Sequence, residues 1–302
     1  MLDRDFAIVC DRGCDLPPLY IERTQATLVG AVAQTLGTPL SADELTQEFV
    51  DAYRGIAARG QRNIVSVHSC ASFSPEVLCA REAAAAVSDV ADVRVVDSGS
   101  ASAATGMVLF RLACHWADGC SFEDAVTSAE ELASRVRLLV IPASSSRFGR
   151  RRGRRGRIGL IGRATSTLRM RISGERGLFL VSGGEVTQLA RSGDLADLTG
   201  RLAHAMSSVS AGEGPLVYAC VETGDRVSLR ALQKPLDTNE FEATSLGTLR
   251  ATPPVEEVLG TGTVGVALVP ARDYWRDPAE APAEKDGGSS GEPRAQGPLT
   301  LS

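Results

Sequence analysis

The chain has 302 residues, of which 43% are hydrophobic and 23% charged, and its formal net charge is −5. This length and apolar content predict one large or two modest globular domains and argue against a chain that is disordered throughout. Aromatic residues make up only 5%, which argues against a surface that stacks the bases of single-stranded nucleic acid.

The N-terminal residues and the cysteines predict a soluble, cytoplasmic protein. The start, MLDRDFAIVC, places three charges before five apolar residues, which is too short a run for the apolar region of a signal peptide. No segment approaches the roughly 20 apolar residues that a membrane-spanning helix needs. The seven cysteines are scattered, without C-x-x-C spacing or a histidine pair, so we expect reduced thiols and no metal site.

Short runs rich in valine and isoleucine predict the first strands. These runs are apolar at consecutive positions, as in strands buried on both faces of a parallel sheet, and they cover residues 6–10, 63–69, 93–98 and 137–142. Segments with helical spacing lie between them, at 41–60, 74–89 and 101–119. Ser41 with Glu44, and Ser74 before Pro75, are helix start signals. Residues 1–135 are therefore predicted to form an N-terminal α/β domain of βαβ units with a parallel sheet.

The pattern changes in the second half of the chain. Residues 177–190 form two apolar runs around a Ser-Gly-Gly turn, which predicts an antiparallel hairpin. Further strands are predicted at 215–221, 240–246 and 263–270, and further helices at 194–208 and 225–233. Residues 136–271 are therefore predicted to be a second α/β domain with a mixed sheet. Residues 272–302 are rich in proline, glycine, serine and charge, which predicts a disordered tail.

Catalysis finds little support in the residue pattern. His68, His115 and His204 lie in unrelated contexts, outside a recognisable triad pattern. We interpret His68, at the end of a predicted strand, as a structural histidine. The segment CDRGCDLPP has neither G-x-G-x-x-G nor Walker spacing, which argues against the usual nucleotide-binding loops. We therefore expect no catalytic residues.

Polar residues follow several predicted strands, at the edge where open α/β sheets bind ligands. Asp11 follows the first strand, the serines of 69–74 follow the second, and Asp97 and Ser98 follow the third. Their hydroxyls, with backbone amides at helix N-termini, could hold a carboxylate or a phosphate. The alternative is that they only cap helices.

Residues 147–157 contain seven arginines in eleven positions. They could form a nucleic-acid patch, a docking loop for an acidic partner, or a site where one or two arginines hold a phosphate or carboxylate in fork geometry. The acidic remainder of the chain and the lack of interleaved aromatic residues argue against nucleic acid.

Two segments of the first half match, in order, motifs of a known protein family. IVCDRGCDLP follows the form I-V-x-D-S-x-x-D-L-P and keeps Asp11, with Arg12 where serine is usual. NIVSVHSCASFSPEV follows a strand and then the form S-S-x-L-S-G-T-Y. It keeps Ser74, whereas Pro75 and Glu76 stand where glycine and threonine are usual.

Three later segments continue the match. VRVVDSGSASAATG follows V-x-V-x-D-S-x-x-x-S-x-G-x-G and keeps Asp97 and Ser102. RRGRIGLIG, followed by LVSGGEV, matches a Gly-Arg-Ile element before a hairpin and supplies Arg157. VLGTGTVGVAL matches a block ending H-x-G-P-G-x-x-G-V, with Val258 at the histidine position and Thr261 at the proline position.

Over residues 6–270 the chain thus resembles the DegV family, fatty-acid-binding proteins that present an acyl chain to a separate fatty acid kinase. The resemblance implies a two-domain α/β protein with the ligand in the cleft between domains. Serine and threonine hydroxyls would hold the carboxylate, and an apolar tunnel would hold the tail. The resemblance implies a carrier that is not an enzyme, with a long-chain fatty acid as ligand and no cofactor.

The resemblance also assigns candidate residues. The candidates for binding the lipid carboxylate are Ser74, Ser41, Ser102 and Asp11. Ser41 can equally be only a helix cap, because the chain has room for one helical segment where the family usually has two. The candidates for facing a phosphate or a kinase partner, of the dihydroxyacetone-kinase-like type, are Arg157, Arg155 and Arg154, within a basic rim at 147–157.

A second hypothesis stays open at this point. The chain could be a diverged relative that no longer binds fatty acid and acts as an interaction or regulatory protein through the arginine-rich loop. Val258, Pro75 and Glu76 at motif positions favour this hypothesis. The retained Asp11 and Ser74 favour fatty-acid binding.

Overall fold

The strands fall into two sheets that follow one another along the chain. A computed structural model describes residues 4–30, 40–146, 148, 175–238 and 241–276. In the first sheet all strands are parallel, in the order β2-β1-β3-β4. The strands of this sheet are β1 (Ala7–Asp11), β2 (Thr27–Val29), β3 (Asn63–His68) and β4 (Asp92–Asp97).

Helices cover both faces of the first sheet, as expected for buried parallel strands. These helices are α1 (Pro18–Thr24), α2 (Ala42–Ala58), α3 (Glu76–Ala86), α4 (Ala103–Asp118) and α5 (Phe122–Ala133). On one face, α2 and α3 pack together and bury Phe49 and Tyr53 against Ile64. On the other face, α4 and α5 bury Leu109 and Leu112 against Val65 and Val67.

The second sheet is mixed, in the order β7-β6-β5-β10-β8-β9, and only its β8–β9 pair is parallel. Its strands are β5 (Arg137–Ile141), β6 (Arg176–Ser182), β7 (Glu185–Ser192), β8 (Leu216–Glu222), β9 (Ala243–Arg250) and β10 (Val264–Pro270). The remaining helices are α6 (Leu195–Glu213), α7 (Arg226–Thr238), α8 (Pro253–Leu259) and α9 (Ala271–Tyr274). The prediction of a parallel sheet followed by a mixed one is confirmed.

One helix connects the two sheets. Helix α4 contacts β3 of the first sheet and β5, β8 and β10 of the second. A single cluster of buried side chains accordingly runs from Val67 through Leu112 to Leu138 and Val217. The halves therefore share hydrophobic core, although each has its own sheet.

The sequence patterns missed several elements, among them strand β2 and helix α5. Strand β2 has only three residues, too few for a periodic pattern. Helix α5 follows Ser121, whose hydroxyl accepts a hydrogen bond from the Asp124 N–H at 3.2 Å. A serine before a helical segment is a typical N-cap, so the sequence did contain a signal for the start of this helix.

The prediction that disorder begins at residue 272 is wrong for the first residues after β10. Tyr274 is buried, and the Arg276 guanidinium donates a hydrogen bond to Glu131. The chain therefore packs on the fold through this point, because one aromatic ring and one arginine find partners on α4 and α5. Residues 277–302 lie outside the described part of the chain.

None of the helices in the described ranges is both long and apolar enough to cross a membrane. Within the same ranges, histidine, cysteine and acidic side chains do not gather in groups of three or more that could hold a metal ion.

Candidate functional site

The carboxyl ends of three parallel strands lie side by side. Cys10 of β1 pairs with Val67 of β3, and His68 of β3 pairs with Asp97 of β4. Asp11 and His68 therefore meet at the edge of the sheet where open α/β folds bind ligands.

Asp11 ends a buried chain of hydrogen bonds. Its Oδ2 lies 2.5 Å from His68 Nδ1, and His68 Nε2 lies 2.7 Å from Ser66 Oγ. The Tyr53 hydroxyl donates to Ser66 Oγ at 2.8 Å. All four side chains are almost completely buried, and burial raises the pKa of the Tyr53 hydroxyl. This network holds Asp11 in one position.

The network has the connectivity of a catalytic triad but not its accessibility. A carboxylate on Nδ1 and a serine hydroxyl on Nε2 are the contacts that such a triad requires. Ser66, however, is 0% exposed, and its oxygen already accepts the Tyr53 hydrogen bond. A substrate cannot reach this serine, so His68 is the structural histidine that the sequence predicted. The sequence could not reveal the arrangement because 57 residues separate Asp11 from His68.

Both carboxylate oxygens of Asp11 are already used. Oδ1 accepts the Gly13 N–H at 2.5 Å, and Oδ2 faces His68. A Cβ on residue 13 would lie 2.8 Å from Asp11 Oδ1, so glycine is what allows this close approach. These hydrogen bonds hold the Asp11 carboxyl group in place, and the prediction that it contacts the lipid carboxylate is not favoured by this geometry.

Ser74 and Glu76 lie at the start of α3, after the loop that follows β3. The Ser74 Oγ and Glu76 Oε2 atoms are both buried, and neither has a hydrogen-bond partner among the described residues. A turn places them there, since the Phe73 and Ser74 N–H groups both donate to the Cys70 carbonyl, at 2.8 and 3.1 Å. Burial and, secondarily, the charge of Asp11 raise the pKa of Glu76 to about 7. An unpaired buried polar group is costly unless a ligand or water satisfies it.

Glu76 is a site residue that the sequence analysis did not assign. It was noted only as a departure from a motif in which threonine is usual. Its position two residues after Ser74 was the available signal. Only the structure shows that both side chains have a buried polar atom without a partner among the described residues, and that Asp11 lies close enough to act on Glu76.

Ser102 joins two segments of the protein instead of facing a ligand. Its hydroxyl donates to Asp15 Oδ2 at 2.5 Å, and its backbone has a positive φ of 57°. Asp15 Oδ1 accepts the Thr252 N–H at 2.8 Å. Burial raises the pKa of Asp15 to about 6, although the Ser102 and Thr252 hydrogen bonds oppose this shift. The hydroxyl of Ser102 is thus already committed.

Ser41 is a helix cap, which was one of the two interpretations offered by the sequence. Its hydroxyl accepts the Glu44 N–H at 3.3 Å and donates to Glu44 Oε2 at 2.7 Å, and its N–H donates to the same carboxylate at 2.9 Å. These hydrogen bonds lower the pKa of Glu44. The side chain of Ser41 is exposed. Of the predicted carboxylate-binding residues, Ser74 therefore has the one hydroxyl that is buried and without a partner within the described ranges.

The β6–β7 hairpin closes the site from the second sheet. The Gly184 N–H donates to the Gly99 carbonyl at 2.8 Å, and the Ser72 hydroxyl donates to the Gly184 carbonyl. The Ser100 hydroxyl donates to the Val181 carbonyl at 2.9 Å. Gly183 and Gly184 have φ values of 59° and 77°, which suit the tight turn predicted from the Ser-Gly-Gly sequence. The hairpin therefore lies directly against the loops that carry Ser74.

Three phenylalanines, beginning with Phe73 next to Ser74 in the sequence, pack together in the core shared by the two halves. The Phe73 and Phe148 rings are 6.0 Å apart, and the Phe148 and Phe179 rings meet edge to face at 5.4 Å. All three are buried. They come from the loop after β3, the segment after β5, and β6, so the sequence gives no local sign of the cluster.

The predicted arginine site is not among the residues that the structure describes. Arg154, Arg155 and Arg157 lie outside the described residues, as does all of the predicted basic rim except Phe148. Two surface depressions, of about 670 and 500 Å³, are lined by residues other than Ser74, Glu76 and these arginines. At the last motif block, Thr261 donates a hydrogen bond to Glu256 Oε1 at 2.7 Å, and Val258 packs on the core.

Comparison with known sequences identifies the family to which this fold and site belong. The sequence model of DegV, described as an uncharacterised protein family, matches residues 28–271. The chain therefore belongs to the DegV family, as the motif blocks predicted.

Relatives agree with this assignment. A DegV domain-containing protein from Streptomyces coelicolor is 32% identical over 159 residues, which span 44% of this chain and 54% of that protein. A fatty-acid-binding DegV family protein from Thermus thermophilus matches with a TM-score of 0.68 and 19% identity, covering 88% of this chain and 99% of that one. A stearic-acid-binding protein from Eubacterium ventriosum matches with a TM-score of 0.69 and 17% identity, covering 89% and 99%. These structures share the fold of the chain.

Proposed function

We propose that this protein binds a long-chain fatty acid, with the carboxyl group at Ser74 and the acyl chain between the two sheets. The observation that carries the proposal is the buried Ser74 hydroxyl, which has no hydrogen-bond partner among the described residues and follows a strand at the carboxyl edge of the parallel sheet. A hydroxyl in this setting gains a hydrogen bond when a carboxyl oxygen arrives. The fatty acids named for the structurally similar proteins from Thermus thermophilus and Eubacterium ventriosum support the choice of ligand.

The acyl chain would lie against the rings of Phe73, Phe148 and Phe179. Phe73 precedes Ser74 in the sequence, and the other two rings of the cluster are contributed by the second half of the protein. Burying a chain of about sixteen carbons at ~0.8 kcal/mol per CH₂ gives a gross driving force on the order of 10 kcal/mol. The polar contacts at Ser74 then need only orient the head group.

The same proposal covers the domain organisation, the arginine-rich segment and the cellular role of the protein. Residues 1–135 and 136–271 would act as two domains that form the two walls of the site. Arg154, Arg155 and Arg157 would face the phosphate of an acyl phosphate or a fatty acid kinase of the dihydroxyacetone-kinase-like type. The protein would be a carrier without catalytic residues, working in the cytoplasm, where its thiols would stay reduced.

The first test is to extract the purified protein under denaturing conditions and identify bound lipid by mass spectrometry, with an unrelated protein of similar size prepared in parallel. The expected result is fatty acid in stoichiometric amount. Ser74→Ala should lower the affinity for added oleate about tenfold, the equivalent of one hydrogen bond of about 1.4 kcal/mol. Ser88→Ala, an exposed serine that follows the same helix, is the matched control.

Absence of lipid from the extract, together with no uptake of oleate or palmitate, would refute fatty-acid binding. Equal affinities of the Ser74→Ala and Ser88→Ala proteins would show that the carboxyl group lies elsewhere.

A further inference from the structure

Glu76, two residues after Ser74, has a second polar atom that no described residue satisfies, and its carboxyl group differs from the threonine hydroxyl that the family motif has at this position. Its Oε2 is buried without a partner among the described residues, in the same way as Ser74 Oγ. Two polar groups that both lack partners in the described part of the chain favour a ligand head group that can form hydrogen bonds with them.

The surroundings of Glu76 determine which head group can bind. Asp11 at the end of β1 lies close enough to act on the charge of Glu76, and His68 of β3 is hydrogen-bonded behind Asp11. Cys79 lies one turn further along α3. Burial, and secondarily the charge of Glu76, raises the pKa of its thiol. An ionised Glu76, an ionised Asp11 and a fatty carboxylate would place three negative charges in one partly dehydrated region, which is strongly unfavourable.

One added proton removes this conflict. If Glu76 is protonated, its O–H donates to one oxygen of the ligand carboxylate while the Ser74 hydroxyl donates to the other. Such a hydrogen bond between an acid and a carboxylate is short and charge-assisted. The proton comes from solvent and stays between the two carboxyl groups, so each binding event takes up one proton once Glu76 is ionised in the free protein.

We propose that Glu76 is a specificity-determining residue that binds the fatty acid head group through a shared proton, so that the protein takes up fatty acid together with a proton. This inference rests on the proposed function above. Burial and Asp11 already raise the pKa of Glu76 to about 7, so the free protein changes between the two forms near neutral pH.

The test is the affinity of wild-type protein for cis-parinaric acid, a fluorescent eighteen-carbon fatty acid, measured from pH 6 to pH 9. Wild type should bind about tenfold more weakly for each pH unit above 7, about 100-fold by pH 9. Glu76→Gln keeps an N–H donor for the carboxylate without a titrating proton, so its affinity should change little with pH. Glu82→Gln, an exposed residue of the same helix, should follow wild type.

Proton uptake and ligand choice give readouts that do not depend on how the ligand itself ionises. Titration calorimetry at pH 8 in phosphate and in Tris should show uptake of about one proton by wild type and none by Glu76→Gln. Oleyl alcohol, which can donate its own hydrogen to an ionised Glu76, should compete better against the acid as the pH rises.

The outcomes separate this inference from the proposed function. Parallel pH profiles for wild type and Glu76→Gln would overturn the shared proton and leave fatty-acid binding intact. A preference for oleylamine over oleate that grows with pH would overturn it too, because Glu76 and Asp11 would then form a cation site. No binding by any of the three proteins at any pH would refute the proposed function itself.

Discussion

Thr252 and Asp15, 237 residues apart in the chain, are joined by a hydrogen bond of 2.8 Å from the Thr252 N–H to Asp15 Oδ1. Ser102 donates to the other oxygen of the same carboxylate, and the Thr252 hydroxyl donates to the Arg12 carbonyl at 2.6 Å. One buried aspartate thus connects the loop after β1, the start of α4 and the segment before α8. It ties the two halves together next to the proposed ligand site.

The pH dependence of stability should reflect Asp15. Its pKa rises from 3.8 to about 6 on folding, so the folded state binds the proton more tightly than the unfolded state. The associated stabilisation is complete only well below pH 3.8 and is lost as the pH rises through 6, a total change of about 3 kcal/mol. Asp15→Asn, whose amide can accept from Thr252 and donate to Ser102, should remove this part of the pH dependence.

Urea unfolding of wild type and Asp15→Asn at pH 4 and pH 7 checks this expectation. The difference in unfolding free energy between the two proteins should shift by about 2 kcal/mol between the two pH values, in favour of the variant at pH 7. A constant difference would contradict the raised pKa. Asp15→Ala, which leaves the Thr252 N–H without its acceptor, should be destabilised at both pH values.

Gly106 of α4 should not tolerate a side chain. A Cβ at this position would lie 2.2 Å from the Asp15 carbonyl oxygen, which is backbone and cannot swing away. Gly106→Ala should therefore destabilise the protein by several kcal/mol, on the order of 3. Gly200, inside α6, has open space around it, so Gly200→Ala should stabilise by about 0.5–1 kcal/mol. Thermal unfolding of the two variants gives the comparison, and equal effects would contradict the close packing at Gly106.

The Tyr53–Ser66–His68–Asp11 network should respond unequally to removal of its members. Tyr53→Phe removes one hydrogen bond and leaves the Ser66–His68 contact in place, at a cost of about 1 kcal/mol. His68→Ala leaves the buried Asp11 carboxylate without its partner and should cost about 3–5 kcal/mol. Chemical denaturation of both variants measures the difference. A His68→Ala protein as stable as Tyr53→Phe would show that the carboxylate is satisfied in another way.

Asp11 should also set the acidity of Glu76. Asp11→Asn keeps an acceptor for the Gly13 N–H but removes the negative charge that helps raise the pKa of Glu76. The pH at which fatty-acid affinity begins to fall should therefore move down in this variant. Asp97→Asn, at the end of β4 two strands away from β1, is the matched control. An unchanged midpoint in Asp11→Asn would show that burial alone raises the pKa of Glu76.

Phe179 should contribute to both stability and acyl-chain binding. Phe179→Ala removes a ring that packs edge to face on Phe148 and should cost about 3–5 kcal/mol. In protein that remains folded, the affinity for stearate should fall more than that for decanoate, because the missing ring lies along the proposed path of the chain. Leu189→Ala, an exposed residue of β7, should change neither. Equal losses for both ligands would place the acyl chain away from these rings.

The sequence by itself determined every strand of the two sheets except β2, several of the helices, and the family. Consecutive apolar residues gave β1, β3, β4 and β5, and the Ser-Gly-Gly turn gave the hairpin, because these signals depend on neighbours in the chain. The ordered motif blocks led to Ser74. Short elements such as β2 and α8 were missed, because they are held by tertiary contacts and carry too few residues for a periodic pattern.

Only the tertiary structure decided which polar residues are free to bind. Ser41, Ser74 and Ser102 are equivalent hydroxyls in the sequence, but Glu44 and Asp15 already occupy two of them. Likewise, Glu76 is one more helix-start carboxylate until burial and Asp11 act on it. The physical reason is the same in both cases: hydrogen-bond satisfaction and desolvation depend on which atoms lie nearby in space, and residues far apart in the chain supply those atoms.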